Sequence, residues 1–352
     1  MRTQLIINNK TIKDKIKIIR KIVGKKTKIM AVVKADAYGL GVFTLGKVFQ
    51  KNGIDYFGVA LVEEGIELRN NGIKKPILIL SEPRPEEITN CIKYNLETVV
   101  ISKEIIKKIN QKNKKVAVHI KVDTGMTRIG CKPNEVMPLI QEIQKLPMIQ
   151  LKGIMSHLAS ADSSQKQTKS QLKVFDQIKK EVQKKYKNKI IFHMANSQGT
   201  LLYPQAHYDM VRIGIFFYEN SVELKTKIVQ VKNVPSKTLV SYNGTYKTKK
   251  AENLAVIGIG YADGFNRLLS NRGEVLIQGE RCPIRGRVCM DLTIVGLSNK
   301  IKHKVKKGDE VVLIGKQKGK EITIHEMAQK IGTISYEILC NIGKRVERIY
   351  HG

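Results

Sequence analysis

No run of apolar residues in this 352-residue chain approaches the ~20 needed to cross a bilayer. The opening MRTQLIINNKTIKDK interrupts its hydrophobic residues with Asn and Lys before a signal core can form. A protein that neither spans a membrane nor is exported is expected. Cysteine is scarce: Cys91, Cys131, Cys282, Cys289 and Cys340 make an odd, scattered set with no C-x-x-C pair. Such spacing argues against a disulfide framework and a structural zinc site, predicts no bound metal, and fits a reducing cytoplasm. Acidic residues are scarce too, 31 against 63 Lys and Arg, for a formal net charge of +32. That excess would signal nucleic acid if it were Arg-rich and interleaved with aromatics. Here it is Lys spread over the whole chain beside Ile and Asn, without a helix-turn-helix, RRM or finger signature. It reads as surface decoration with no specific nucleic-acid partner, leaving weak attraction to polyanions or anionic membranes as its residual use. A Pro/Ser-rich linker, a low-complexity tail and an internal repeat are also missing. What is present, 42% hydrophobic residues, suffices for the cores of one or two domains.

Short β-branched runs punctuate the first two-thirds of the chain: KIMAVV ending at Val33, YFGVAL from Tyr56, PILIL from Pro76, ETVVI from Glu97, VAVHIKV from Val116, QLKGIMSH from Gln150, KIIFHM from Lys189 and DMVRIGI from Asp209. Amphipathic stretches separate them, including VEEGIELRNNG, which stops at Gly72, EVMPLIQEIQKL and QLKVFDQIKKEVQKKYK. Eight consecutive βα units with near-continuous apolar strands predict a (β/α)8 TIM-type barrel over residues 1–220, with an open doubly wound sheet as the alternative. After Tyr218 the rhythm becomes short strands and Gly-rich turns, predicting a mainly β C-terminal domain over 221–352. One helix interrupts it, announced by a capping box from Thr323 to Glu326 and stopped at Gly332.

In a barrel of this kind chemistry collects where strands run out into βα loops. The first strand ends AVVKADAYG, which places Lys34 at the carboxyl end of a buried strand. Desolvation there would lower its pKa and make it a Schiff-base amine; the alternative is a lysine that snorkels out of the mouth. The fifth strand runs into KVDTGMTRIG with Lys121, Asp123 and Arg128, and the sixth ends at His157. Ser197 follows the seventh strand, and Arg212, Gly214 and Ile215 lie on and after the eighth. Ser197 with the Gly214 and Ile215 amides falls where such barrels bind phosphate. A lysine amine and a phosphate cradle on one rim suggest pyridoxal 5'-phosphate.

AVVKADAYG, KVDTGMTRIG, MSHLASAD, MANSQG, VRIGIFFY, VSYNGTY, GYADGFNR, GRVCMD and ISYEI, in this order and spanning nearly the whole chain, resemble the motifs of the alanine racemase family. The resemblance implies a pyridoxal-phosphate isomerase that interconverts L-alanine and D-alanine, supplying D-alanine as a peptidoglycan precursor. It implies that Lys34 carries the cofactor, that Tyr38, Ser197, Gly214, Ile215 and Tyr336 hold its phosphate, and that Arg212 faces the pyridine nitrogen with His157 bonded to it. Arg128 matches the arginine near the cofactor's phenolic oxygen and the substrate carboxylate, and Lys121 a lysine carbamylated in some members. Tyr242, Met290 and Asp291 lie in motifs that in the family reach across a homodimer interface into the partner's site, with Met290 at the substrate entrance. Inverting Cα takes two bases on opposite faces, Lys34 and Tyr242. A tyrosine, with a reference pKa of ~10, needs nearby positive charge or a hydrogen-bond donor to serve.

The chain departs from the family pattern at Leu40, where His is usual, and at Thr127, Asn243 and Glu219, where Gly is usual. None of these removes a catalytic group. Thr127 beside Arg128 bears on which side chains fit. Two other readings stay open: a broader amino-acid racemase of the same fold, and a polyanion-binding protein on a decayed racemase scaffold. His119 reads as a core or helix-facing residue, and His193 as the end of a strand without an assigned role.

Overall fold

The computed structural model describes residues 3–186 and 189–352, so the first two residues of the opening segment lie outside it. The chain divides into two compact units, one of Lys13–Ala37 and Gly41–Phe217 and one of Met1–Ile12, Tyr38–Leu40 and Tyr218–Gly352. The opening strand, β1 (Gln4–Asn8), belongs to the second of these.

The first unit is the barrel. Its strands are β2 (Lys28–Val32), β3 (Tyr56–Val59), β4 (Ile77–Ile79), β5 (Glu97–Val100), β6 (Val116–Lys121), β7 (Ile149–Met155), β8 (Ile191–His193) and β9 (Met210–Ile213), which are the eight runs picked out by the sequence. They pair in parallel in the order β8-β7-β6-β5-β4-β3-β2-β9. The ends of that path meet: Asp209 N–H donates to the Phe192 carbonyl and Arg212 N–H to the Ala195 carbonyl, each at 3.0 Å. Covering on both faces explains the apolar runs, since every residue of β3, β4, β5, β8 and β9 is buried. Met30, Tyr56, Leu78, Val99, Met155, Ile191 and Met210 form one core cluster. Helices Val62–Asn70, Val136–Gln144 and Gln165–Lys185 coincide with three of the predicted amphipathic stretches.

The second unit is mainly β. Its spine is β10 (Val222–Val234), long enough to pair with three strands along its length, with register shifts after Ile228 and Leu224. β1 lies antiparallel to β10, Gln4 opposite Lys225, and parallel to the strand Glu347–His351, Gln4 opposite Glu347. The sequence reading groups the opening residues with the barrel because a lone alternating strand does not announce its partner. The predicted helix spans Ile324–Ile331, with Thr323 Oγ1 accepting from Glu326 N–H at 3.0 Å and Gly332 at φ 72 ending it. Glu326 does not complete a capping box in the expected way: its carboxylate takes Arg281 at 2.6 Å and Lys330 at 3.1 Å. A further helix, Ser335–Cys340, is too short for periodicity to reveal and carries Tyr336.

Candidate active site

Strand β2 runs into the turn Lys34–Gly39, closed by Ala37 N–H donating to the Val33 carbonyl at 2.8 Å. The turn is left-handed, with φ of 52, 53, 53 and 60 at Ala35, Asp36, Ala37 and Tyr38. Non-glycine residues resist this conformation by about 1–2 kcal/mol each, so the surrounding structure must impose it. Two carboxylates do so: Asp36 Oδ1 accepts from Val42 N–H at 2.6 Å, and Glu64 Oε1 accepts from Ala35 N–H at 2.6 Å. Lys34 consequently stands exposed at the strand's end, so the desolvation expected of it from sequence is not supplied within this chain.

Burial falls instead on Lys121, whose Nζ donates to the Leu80 carbonyl at 2.9 Å. Burial first, then Arg212, Arg128 and Lys34, press its ammonium down to about 8. The loop after Lys121 is folded by Asp123, which accepts the backbone N–H groups of Gly125, Met126 and Arg128 at 2.8, 2.9 and 3.0 Å. That loop returns Arg128 to the field of Lys121. Thr127 takes φ 56, the left-handed region that glycine adopts freely, at the position where the family pattern has glycine. Asn243, the other such departure in a turn, takes φ 59, which asparagine tolerates better.

Arg212 is 3% exposed. Its guanidinium donates through NH1 to His193 Nδ1 at 2.9 Å and through NH2 to the carbonyls of Ser156 at 2.6 Å and Met194 at 3.0 Å and to His157 Nδ1 at 3.0 Å. Burial, then Arg128, lowers it to about 9, still cationic at neutral pH. His157 is held well below its ordinary range by burial and then by Arg212, Arg128, Lys121 and Lys34, and so accepts as a neutral ring. From His193 the hydrogen bonds continue inward. His193 Nε2 lies 3.0 Å from His119 Nδ1, His119 Nε2 lies 3.0 Å from Glu97 Oε2, and Glu97 Oε1 pairs with Lys152.

Beside the cations, Gly214 N–H donates to Ser197 Oγ at 3.1 Å, joining the segments after β8 and β9. Ser197 opens the helix Ser197–Leu202, capped by Asn196 Oδ1 accepting from Gly199 N–H at 2.9 Å, and Ile215 opens the turn Ile215–Tyr218. Lys34, Lys121, Arg128, His157 and Arg212 thus share one field, and Ser197 meets Gly214; an anion is what this donor set can hold.

The remaining candidates lie in the second unit. The ring of Tyr38 packs 4.8 Å from Tyr218 and 5.8 Å from Tyr336, and burial, with Tyr336 and Cys340 adding, raises its phenol above its ordinary range. Tyr242 and Met290 are 67% and 53% exposed. They sit on joined loops: Ser241 Oγ donates to the Arg287 carbonyl at 2.6 Å, and Tyr261 and Ala262 N–H donate to the Cys289 and Met290 carbonyls at 3.0 Å. Asp291 pairs with Arg345 at 2.6 Å. Among the described residues, no group of three or more His, Cys, Asp or Glu is placed to hold a metal ion.

Residues 7–221 match the family described as "Alanine racemase, N-terminal domain" and residues 221–350 that described as "Alanine racemase, C-terminal domain". The chain belongs to the alanine racemase family. "Alanine racemase 2" of Caldanaerobacter subterraneus subsp. tengcongensis is 39% identical, over 99% of this chain and 94% of the relative. The solved alanine racemase of Clostridium difficile 630 superposes with a TM-score of 0.92 at 36% identity, covering 100% of this chain and 96% of that one. The alanine racemase of Bartonella henselae, solved with covalently bound pyridoxal phosphate, gives a TM-score of 0.91 at 29% identity over 100% of both chains. Alanine racemisation is accordingly the activity of this chain.

Among racemase-family candidates the sequence reading omits Glu97, His119, His193 and Lys152, although two signals pointed at them. His119 lies inside β6 and Glu97 opens β5, each a buried polar residue in a strand that carries buried Val residues. Gly153 sits mid-strand in β7, opposite His119, where a Cβ would come within 2.2 Å of His119 Nδ1. A glycine inside a strand marks such a close approach.

Proposed function

We propose that the barrel mouth holds pyridoxal 5'-phosphate and that Lys34 and Tyr242 are the two bases of alanine racemisation. The observation that carries this reading is the convergence of Lys34, Lys121, Arg128 and Arg212 on one field next to the Ser197–Gly214 contact. That donor set suits a ligand with a phosphate, a phenolic oxygen and a substrate carboxylate. Ser197, Gly214 and Ile215 would hold the phosphate, with Tyr38 and Tyr336 as further contacts carried over from the family motifs. Arg212 would face the ring nitrogen, and Arg128 the phenolic oxygen and the carboxylate. When bound, the cofactor supplies an imine link to the substrate amine and an electron sink that weakens the Cα–H bond.

Each other step belongs to the chain's own residues. Lys34 anchors the cofactor covalently and moves the proton on one face of Cα. The Tyr242 hydroxyl moves it on the other, because one group cannot both take and return a proton across a plane. Arg212 would hold the ring nitrogen as a donor that does not give up its proton, which would keep the sink weak and limit side reactions. Lys121, pressed down to about 8, is a nucleophilic amine near neutral pH. After its ammonium gives one proton to solvent, its attack on carbon dioxide would form an N–C bond, open one C=O π bond and release a second proton, turning a buried cation into a carboxylate that braces Arg128. Tyr242 and Met290 serve the partner's site in a homodimer, which accounts for their exposure in the single chain. Cytoplasmic residence fits five free cysteines, and among the described residues no helix is long and apolar enough to cross a membrane.

A visible absorbance spectrum of the purified protein, followed by circular dichroism with L-alanine and with other L-amino acids, tests the reading. Cofactor absorbance and loss of optical activity with L-alanine support it. Absence of the absorbance, or inversion of bulkier amino acids at equal rates, overturns the cofactor or the specificity respectively.

A further inference from the structure

The hydrogen bonds leading away from Arg212 have a direction that chemistry fixes. A guanidinium only donates, so His193 Nδ1 accepts from Arg212 NH1 and the His193 proton must sit on Nε2. That N–H points at His119 Nδ1, which therefore accepts, and the His119 proton sits on Nε2, 3.0 Å from Glu97 Oε2. Arg212, His193, His119 and Glu97 make a buried series with a cation at one end, a carboxylate at the other and every donor aimed the same way. Burial alone would raise the Glu97 carboxyl, but the bonds from His119 and Lys152 outweigh it and hold it below its ordinary range, so the far end is an anion. His193 is driven well below its ordinary range by burial, then by Arg212 and His119, and is neutral. Gly153 leaves the space in which the His119 ring bridges the two sides.

Without an acceptor beyond His119, the two imidazoles lose one end of their bias. If both protons shifted to Nδ1, His193 would present N–H to the N–H of Arg212. The guanidinium would then be pushed toward its other acceptors, the Ser156 and Met194 carbonyls and His157.

We propose that Glu97 is a positioning residue for racemisation: through His119 and His193 it fixes the ring that holds Arg212 NH1, and thereby the orientation of the guanidinium at the barrel mouth. Lys152 anchors the far end by pairing with the second carboxylate oxygen of Glu97. This inference rests on the proposed role of Arg212 toward the cofactor.

Three variants test it. Glu97→Gln keeps an oxygen that accepts from His119 and removes the charge. Glu97→Leu removes the acceptor. His119→Phe keeps a ring, breaks the series one link nearer to Arg212 and leaves the Glu97–Lys152 pair in place. Histidine side-chain 15N spectra of the purified protein report which nitrogen carries each proton. In the wild type and in Glu97→Gln, His119 and His193 should be neutral with Nε2 protonated; in Glu97→Leu and His119→Phe the His193 signals should shift toward mixed tautomers. Loss of orientation should lower kcat about 10- to 100-fold in those two variants with little change in KM, while Glu97→Gln retains most of it. If Glu97→Leu does not fold, His119→Phe decides alone. A wild-type His193 protonated on Nδ1, unchanged His193 signals in His119→Phe, or equal losses through KM in all three variants would overturn the inference. Failure of the underlying reading shows separately, as a purified wild-type protein without cofactor absorbance.

Discussion

Arg212 in the barrel is almost wholly buried, with each bond from its guanidinium going to a partner that is itself fixed; Tyr242 in the second unit stands two-thirds exposed on a loop. The same contrast holds around them. The barrel mouth gathers cations for which burial and mutual repulsion both disfavour charge, and Lys121, His157 and Arg212 all show it as lowered affinity for protons. The loops around Tyr242 instead expose Leu239, Tyr261, Leu268 and Met290 as apolar surface. A surface of that kind marks a contact with another molecule, whereas a strained cationic pocket marks a ligand. The first region is organised by the fold of one chain, and the second presents the apolar surface that the proposed homodimer would cover.

Removing Lys34 is the strongest way to break the barrel side of this comparison. Lys34→Ala should abolish cofactor absorbance that survives gel filtration and lower racemisation by more than the ~10² to 10⁴-fold of a lost general base, because an anchor and a base go together. Near-wild-type turnover would sink the role of Lys34.

Tyr242→Phe breaks the other side and should act on one face only. Solvent-deuterium exchange at Cα should persist from D-alanine and fall ~10² to 10⁴-fold from L-alanine. Mixed with Lys34→Ala subunits under proven exchange, it should restore activity in about a quarter of centres, as two-fold symmetry with random pairing requires. Equal slowing from both enantiomers, or no restoration, would place both bases differently.

The next effect is on stability. The free chain holds the Lys121 proton up to 10.5 and the folded barrel only to about 8, so between those values the unfolded state binds more protons and stability rises with pH. The penalty for burying the charge is fully present below about 8 and amounts to about 3 kcal/mol. In bicarbonate-free buffer, thermal unfolding of the wild type should show this rise across pH 8 to 10.5, and Lys121→Met should lack it. Parallel profiles would show that Lys121 pays no such penalty.

Thr127→Gly makes the smallest change. It relieves a β-branched residue at φ 56 and gives the unfolded chain more freedom, so a net gain of at most about 1 kcal/mol in chemical denaturation is expected. A loss would mean that the Thr127 side chain contributes more than its backbone costs.

The eight barrel strands are legible from sequence because parallel strands covered on both faces must be apolar throughout, and the residues at their ends stand out as polar interruptions. Lys34, Lys121, Arg128, His157 and Arg212 are found that way, and the structure draws them into one field. The Glu97–His119–His193 series is not, because it depends on the register of β5, β6, β7 and β8, which sets their residues side by side. The left-handed turn after Lys34 is hidden as well, since three of its positions are alanine or aspartate and none is glycine until Gly39. The place of Lys34 after β2 implies burial, but the turn leaves it exposed.

The pairing of Gln4–Asn8 with Glu347–His351 sets an order on synthesis. As the chain leaves the ribosome, the barrel can close once residue 217 has emerged, since most of its strands pair with their neighbours in sequence and the distant pair β2–β9 is then available. The opening strand can meet β10 soon afterwards, yet its other edge stays unpaired until Glu347–His351 are made. During that interval Gln4–Asn8 offers a bare strand edge to any passing chain. A chain cut short before Glu347 should therefore retain a folded barrel and aggregate through its own beginning.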